Sequence, residues 1–330
     1  MAALTTFAGL FALVLGAYAW AWRSEAHRDR IVALLYHRLV DADEFERFPP
    51  RVRNFTIPDE RFREHLCYLK RSGYSPVGLD QLVEALETGT PLPPSPVLVS
   101  FDDGCQSVVS RALPILQEQG FPAALFVTTD PDAWIFREGP DAQPRLTEAE
   151  LRQLDAAGVS IGSHAVSHDA LQGMHDADLE RELGESKRYL ESVLGKRVDY
   201  FGVPLNWYGR SVREAAIRVG YRAVCTSDSG TIRPGADTFH LRRLNVEGWM
   251  TEDDLHVFLR PGTIVQRRVI AFLKRFPARL VGPRLWLPFR RWLFDSPVGP
   301  LLTLRNLRRL LIGGAGALLL LAGAIVWLSV

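Results

Sequence analysis

The chain is poor in cysteine. Its three, Cys67, Cys105 and Cys225, are an odd number without the spacing of a disulfide framework, which excludes a cystine-stapled scaffold and fits a reducing compartment. Net charge is almost absent too: 39 basic against 38 acidic residues leave +1, so the total gives no reason to expect a polyanionic partner such as nucleic acid. No internal repeat recurs. Charge is also missing locally, since residues 2–22 and 310–330 carry none. Each stretch is 21 residues, long enough for a helix to cross a bilayer. The first lacks the Lys/Arg-rich leader of a secretory signal peptide and is long for one. Although Ala17-Tyr18-Ala19 imitates a cleavage site, residues 1–24 are therefore expected to be a retained anchor and 310–330 a second transmembrane helix.

Arginines flank both stretches on the side facing the middle of the chain: Arg23, Arg28, Arg30 and Arg38 after the first, Arg290, Arg291, Arg305, Arg308 and Arg309 before the second. The positive-inside rule then predicts a bacterial inner-membrane protein with its central domain facing the cytoplasm. Residues 264–309 hold eleven Arg/Lys and one acidic residue, Asp295, with Trp286 and Trp292 among the arginines. Beside a membrane span, 261–309 reads as a basic amphipathic interface segment on anionic lipid rather than a nucleic-acid site.

Between the anchors, short apolar runs alternate with helical periodicity. Strands are expected at Ile31–Tyr36, Val97–Phe101, Ala123–Thr128, Val159–Ile161, Tyr200–Val203, Ala223–Thr226 and Leu241–Val246. Helices between them include one opened by the capping box Thr147–Glu150 and one closed by Gly220. That pattern predicts an α/β domain over 31–260 with a largely parallel sheet, closed as a barrel. His37, Asp102, Asp103, His164 and Pro204 all fall at C-terminal ends of expected strands, the face where barrel enzymes carry out their chemistry.

Asp102-Asp103-Gly104 ends one strand. One carboxylate can hold a metal while its neighbour handles a proton, though alone the motif reads first as a solvated turn. His164 and His168, four apart, can both reach one ion. With a carboxylate they make three protein ligands and leave a position for water, which suits catalytic zinc and also non-haem Fe(II).

Together these motifs resemble the polysaccharide deacetylases of the nodulation-protein type, carbohydrate esterase family 4. The likeness runs over roughly residues 31–260. It rests on Leu35-Tyr36-His37-Arg38, the Phe62–Tyr74 helix, Leu98–Gly104, Pro114-Ile115-Leu116, Gly120–Val127 and Gly162–His168. The resemblance implies a distorted (β/α)7 barrel in which Asp103, His164 and His168 bind Zn²⁺, or another divalent ion such as Co²⁺, Ni²⁺ or Fe²⁺. It makes Asp102 the general base, the Leu205 backbone N–H an oxyanion donor, and the reaction removal of an acyl group from an N-acyl amino sugar. Two slots depart from the family pattern. The third motif here is Phe201–Asn206, without the arginine that orients the base. The fifth, Leu241–Val246, has no histidine to act as acid, and His240 and His37 are the available substitutes. Pro204, Asn206, Trp207 and Tyr208 are candidate substrate contacts.

The basic tail points to a membrane-held substrate, such as a polyprenyl-phosphate-linked sugar or a glycolipid precursor. Alternatives are an exported exopolysaccharide or peptidoglycan de-N-acetylase, a deformylase, and a catalytically silent glycan-binding homologue. No protein partner can be inferred.

Overall fold

The computed structural model of the chain describes residues 21–27, 29–136 and 144–281, with residues 16 and 19 besides. Met1–Ala271 form one unit and Phe272–Val330 a second.

Eleven strands occur among the described residues. They are β1 (Val32–Tyr36), β2 (Arg38–Val40), β3 (Thr56–Pro58), β4 (Ser75–Pro76), β5 (Pro96–Phe101), β6 (Ala123–Val127), β7 (Ser160–Ser163), β8 (Tyr200–Gly202), β9 (Ala223–Thr226), β10 (Leu241–Arg242) and β11 (Leu244–Asn245). β2 and β3 pair apart from the rest. The main sheet runs in the order β10-β9-β8-β7-β6-β5-β1-β11, with β4 beside β5. Every pairing between these strands is parallel. β1 and β5 are buried at all positions, as expected for strands covered on both faces. Helices Asp59–Arg71, Leu113–Gln119, Glu148–Ala156 and Asp176–Leu194 form the outer layer.

The strand expected over 241–246 is two strands. β10 hydrogen-bonds to β9 and β11 to β1, with only Arg243 between them. The chain thus leaves one sheet edge and joins the other within a single residue, and the sheet closes there. Counting the split pair as one, β1, β5, β6, β7, β8, β9 and β10/β11 make seven staves. Ala33, Leu98, Ala124, Phe126, Ala223 and Cys225 pack inside. The Phe126 ring fills the centre because Gly202 gives way: a Cβ there would lie 2.7 Å from the ring. The helical run after β5 changes pitch just before Pro114. A π-helical turn, Val108–Ala112, precedes a regular helix with Pro114 in its first turn, where its missing N–H costs nothing.

The membrane placement is corrected. Among the described residues no helix is long and apolar enough to cross a bilayer. The longest, Pro261–Val281, has 21 residues, but Arg267, Arg268, Lys274, Arg275 and Arg279 lie along it. The apolar stretch 310–330 and most of 2–22 fall outside the described residues, as does 282–309 of the basic segment. An inner-membrane protein with a cytoplasm-facing domain is therefore not retained.

One buried histidine outside the site predicts a pH effect. His65, fully enclosed on the helix Asp59–Arg71, places Nε2 2.9 Å from the Met250 carbonyl and Nδ1 3.2 Å from the Tyr36 hydroxyl. A carbonyl only accepts, so Nε2 carries the proton and Tyr36 donates to Nδ1. Burial lowers the His65 pKa from 6.5 to about 4, outweighing the Met250 hydrogen bond. Between those values the unfolded chain binds the proton and the folded one does not. Stability is then complete above pH 6.5 and falls by on the order of 3 kcal/mol as the pH drops to 4. Denaturant midpoints for wild type and His65→Phe across this range should differ in slope; equal slopes would rule the effect out.

Candidate active site

The site begins where β5 ends. Asp102 donates its backbone N–H to the Tyr36 carbonyl and so continues the sheet, whereas Asp103 turns into the left-handed region at φ 77°, followed by Gly104 at 93°. This turn lets neighbouring carboxylates serve one cavity, although in a continuing strand they would face opposite ways. A non-glycine residue held at positive φ is strained, and such strain tends to collect at functional sites.

Asp102 is gripped by Arg243. Nη1 lies 2.6 Å from Oδ1 and Nη2 2.8 Å from Oδ2, a two-pronged pair with both residues buried. The guanidinium also donates to the Thr226 carbonyl (3.2 Å) and Ser100 Oγ (3.3 Å), and stacks 4.9 Å from the centre of the Phe126 ring. Burial alone would raise the Asp102 pKa; Arg243 and then His164 outweigh it, so the carboxyl is held below its ordinary range. The arginine absent from the third motif is thus matched by one at the barrel seam. Its signal in the sequence was the Arg242-Arg243 pair inside a short apolar strand, where the two-residue alternation sends one arginine inward.

His164 follows β7. Its Nδ1 lies 2.8 Å from the Gly202 carbonyl and therefore carries the proton, leaving the Nε2 lone pair to face Asp103 Oδ1 at 3.7 Å and Asp102 Oδ2 at 3.8 Å. A backbone carbonyl fixing the tautomer in this way is the usual support of a metal-binding imidazole. His168 Nε2 lies 3.2 Å from the same Asp103 oxygen. The two rings meet through a tight loop, not a helical turn, with Ala165 at φ 64° and His168 at 62°. One donor atom each from Asp103, His164 and His168 lies within 4.8 Å of the others, all three buried. Burial first, and the His168 charge with it, pushes His164 down to about 4 despite the carboxylates, so its imidazole is neutral at pH 7. A carboxylate and two imidazoles, one of them neutral with its tautomer set, fit a divalent ion.

His37 stands one residue beyond β1, level with Asp102 by the Tyr36–Phe101 register. Burial lowers its pKa most; the charges of Asp103 and Asp102 oppose that, and Arg243 and His168 add to it, which places the ring among the site's charges. Its Nδ1 and the Oδ1 of Asn245 are buried without a hydrogen-bond partner among the described residues, on the inward faces of adjoining strands. His240 is placed differently. Its Nε2 bonds Asp228 at 3.0 Å and its ring packs 5.7 Å from Tyr208. Pro204, Leu205 and Asn206 form a single turn after β8, with Leu205 and Asn206 at φ 53° and 57°. The Asn206 carboxamide accepts from the Ser227 N–H and donates to Asp228, and the Tyr208 hydroxyl donates to the Phe239 carbonyl, so both pin this loop. Trp207 is half-buried. Around the mouth, Phe55 stands edge-on to His37 at 5.0 Å and Trp134 to His168 at 5.2 Å, each a little under half exposed.

Comparison with known proteins supports the same assignment. The family model described as polysaccharide deacetylase matches residues 89–224, which include both aspartates and both histidines. Over these residues the chain matches the polysaccharide deacetylase family. It is accordingly a carbohydrate deacetylase, a hydrolase of amide C–N bonds. A poly-beta-1,6-N-acetyl-D-glucosamine N-deacetylase of Escherichia coli is 37% identical over 92 residues, 28% of this chain and 13% of that one. The enzyme of the same name from Staphylococcus epidermidis is 21% identical over 235 residues, 66% of this chain and 80% of that one. Among solved structures, the Streptococcus pyogenes deacetylase PplD in complex with acetate superposes with a TM-score of 0.60 at 21% identity. It covers 71% of this chain and 99% of that one, and bears on the fold.

Proposed function

We propose that the chain removes acetyl groups from N-acetylated amino-sugar units of a polysaccharide by divalent-metal-dependent hydrolysis. The observation that carries this is the ionised Asp102, locked by Arg243 beside the Asp103, His164 and His168 donors at the mouth of the barrel. Asp103, His164 and His168 would hold a divalent ion, which would supply Lewis acidity to the acyl carbonyl and to water.

Asp102 takes the proton of the attacking water. Its pairing with Arg243 keeps it unprotonated and aimed. The Leu205 N–H, in its left-handed turn, is the donor for the oxyanion. His37, not His240, delivers the proton to the departing amine, because His37 shares the field of both catalytic aspartates whereas His240 is engaged by Asp228. Phe55 and Trp134 offer exposed faces on either side for sugar rings, with Pro204, Asn206, Trp207 and Tyr208 shaping the third wall. The silent-homologue alternative rested on a missing arginine and acid; Arg243 and His37 remove that motive. With the membrane placement withdrawn, the N-acetylglucosamine polymers named for the relatives are a better guide to substrate than a lipid-linked sugar.

Release of primary amine from an N-acetylglucosamine oligosaccharide tests this. It should stop on chelation and return with Zn²⁺. His37→Gln should lose 10²-fold or more on the amide, yet keep most activity on an aryl acetate, whose leaving group needs no proton. Chelator-insensitive release would overturn the metal assignment; equal losses on both substrates would remove His37 as the acid.

A further inference from the structure

Glu182 is a buried carboxylate in the helix Asp176–Leu194, 7% exposed. Among the described residues no basic side chain pairs with it. Its Oε2 accepts instead from two backbone N–H groups, Val166 at 3.0 Å and Ser167 at 2.9 Å. Both belong to the three residues separating His164 from His168. A carboxylate buried away from water is costly unless hydrogen-bonded, and here the loop's two N–H groups supply those bonds.

The loop's carbonyls are held from the other side, Ala165 by the Thr129 N–H at 3.2 Å, Val166 by the Asp130 N–H at 3.0 Å and His168 by the Trp134 indole at 3.4 Å, which leaves its inner N–H groups to Glu182. Its ends, Ala165 and His168, sit at φ 64° and 62° in backbone that residues with a side chain rarely adopt. One helical turn beyond Glu182, Ser186 Oγ lies 2.6 Å from Ser163 Oγ, which accepts from the Ala165 N–H. A single face of the helix therefore secures the loop at successive points, and Glu182 secures its middle. Without the carboxylate, Val166 and Ser167 lose their acceptor, and the segment that sets the distance from His164 Nε2 to His168 Nε2 is held only through its carbonyls and through Ser163.

We propose that Glu182 is a positioning residue for metal binding, holding the His164–His168 loop so that both imidazoles converge with Asp103 before an ion arrives. The proposal rests on the metal-centre reading above. It assigns Glu182 no contact with substrate or ion.

Zinc affinity of the full-length chain, measured by competition with a chromophoric chelator, tests it without reference to turnover. Glu182→Ala should bind zinc 10- to 100-fold more weakly, the range seen when the residues supporting metal ligands are removed. Glu182→Gln, whose amide oxygen can accept the same N–H groups, should recover most of the loss. Should the alanine variant fold poorly, Glu182→Asp, with its carboxylate drawn back by one methylene, should show the same weakening. A purely structural Glu182 would lower the metal-free melting temperature and leave zinc affinity unchanged, and that result overturns the proposal. If the wild type itself binds no zinc, the metal-centre reading fails first, so the two failures are told apart.

Discussion

Arg243→Met is expected to destabilise the protein by roughly 3–5 kcal/mol, the usual consequence of stripping one partner from a buried ion pair, and to cut kcat by about 10²-fold. Arg243 is completely buried, and its partner Asp102 lies in equally dry surroundings. Methionine fills much of the volume but leaves a carboxylate uncompensated, and it removes the donors to Thr226 and Ser100 that brace the seam between β10 and β11. The kinetic loss follows from geometry: a base displaced by about 1 Å can lose two orders of magnitude. Adding Asp102→Asn should restore part of the stability of Arg243→Met, because the stranded charge disappears, while restoring no activity. Denaturant unfolding of the two single variants and the double variant measures this coupling. Additive losses of stability would mean that the pair is not the unit described here.

The two adjacent aspartates should separate cleanly. Asp102→Asn is expected to bind zinc as the wild type does and to lose 10²- to 10⁴-fold in kcat, since an amide cannot take the proton. Asp103→Asn removes the carboxylate nearest His168, at 3.2 Å, and should lose zinc on dialysis, with activity falling in proportion to metal content. Metal analysis after dialysis, paired with amine-release rates, distinguishes the two cases. If Asp102→Asn keeps activity within tenfold, Asp102 is not the base; if Asp103→Asn keeps its zinc, the ligand set is wrong.

Much of this centre is local in the chain. The run from Val97 to Gly104 announces a buried strand ending in a turn, and Gly162–His168 places two imidazoles four residues apart. The capping box predicted at Thr147 forms with both reciprocal hydrogen bonds, and a second of the same kind forms at Thr251. Hydrophobic alternation, turn chemistry and helix caps operate over a few residues, so the seven-stave barrel and its four central site residues follow from pattern. The expected membrane placement had the same kind of basis, apolar length and flanking charge, in stretches largely outside the described residues.

The remainder depends on which distant segments meet. Arg243 lies 141 residues from Asp102; nothing near it in the chain distinguishes it from Arg242, and only the register that closes β10/β11 onto β9 and β1 turns it inward. The choice between His37 and His240 is of the same kind. Both are lone histidines at strand ends, and the sheet order sets one beside β5 while the other meets Asp228. Glu182 reads as an ordinary helical glutamate until the helix packs under the histidine loop. Local sequence specifies a residue's secondary structure and the side of the strand it occupies. The partner that tunes its charge comes from sheet closure and helix packing, which are long-range contacts with no short-range signature.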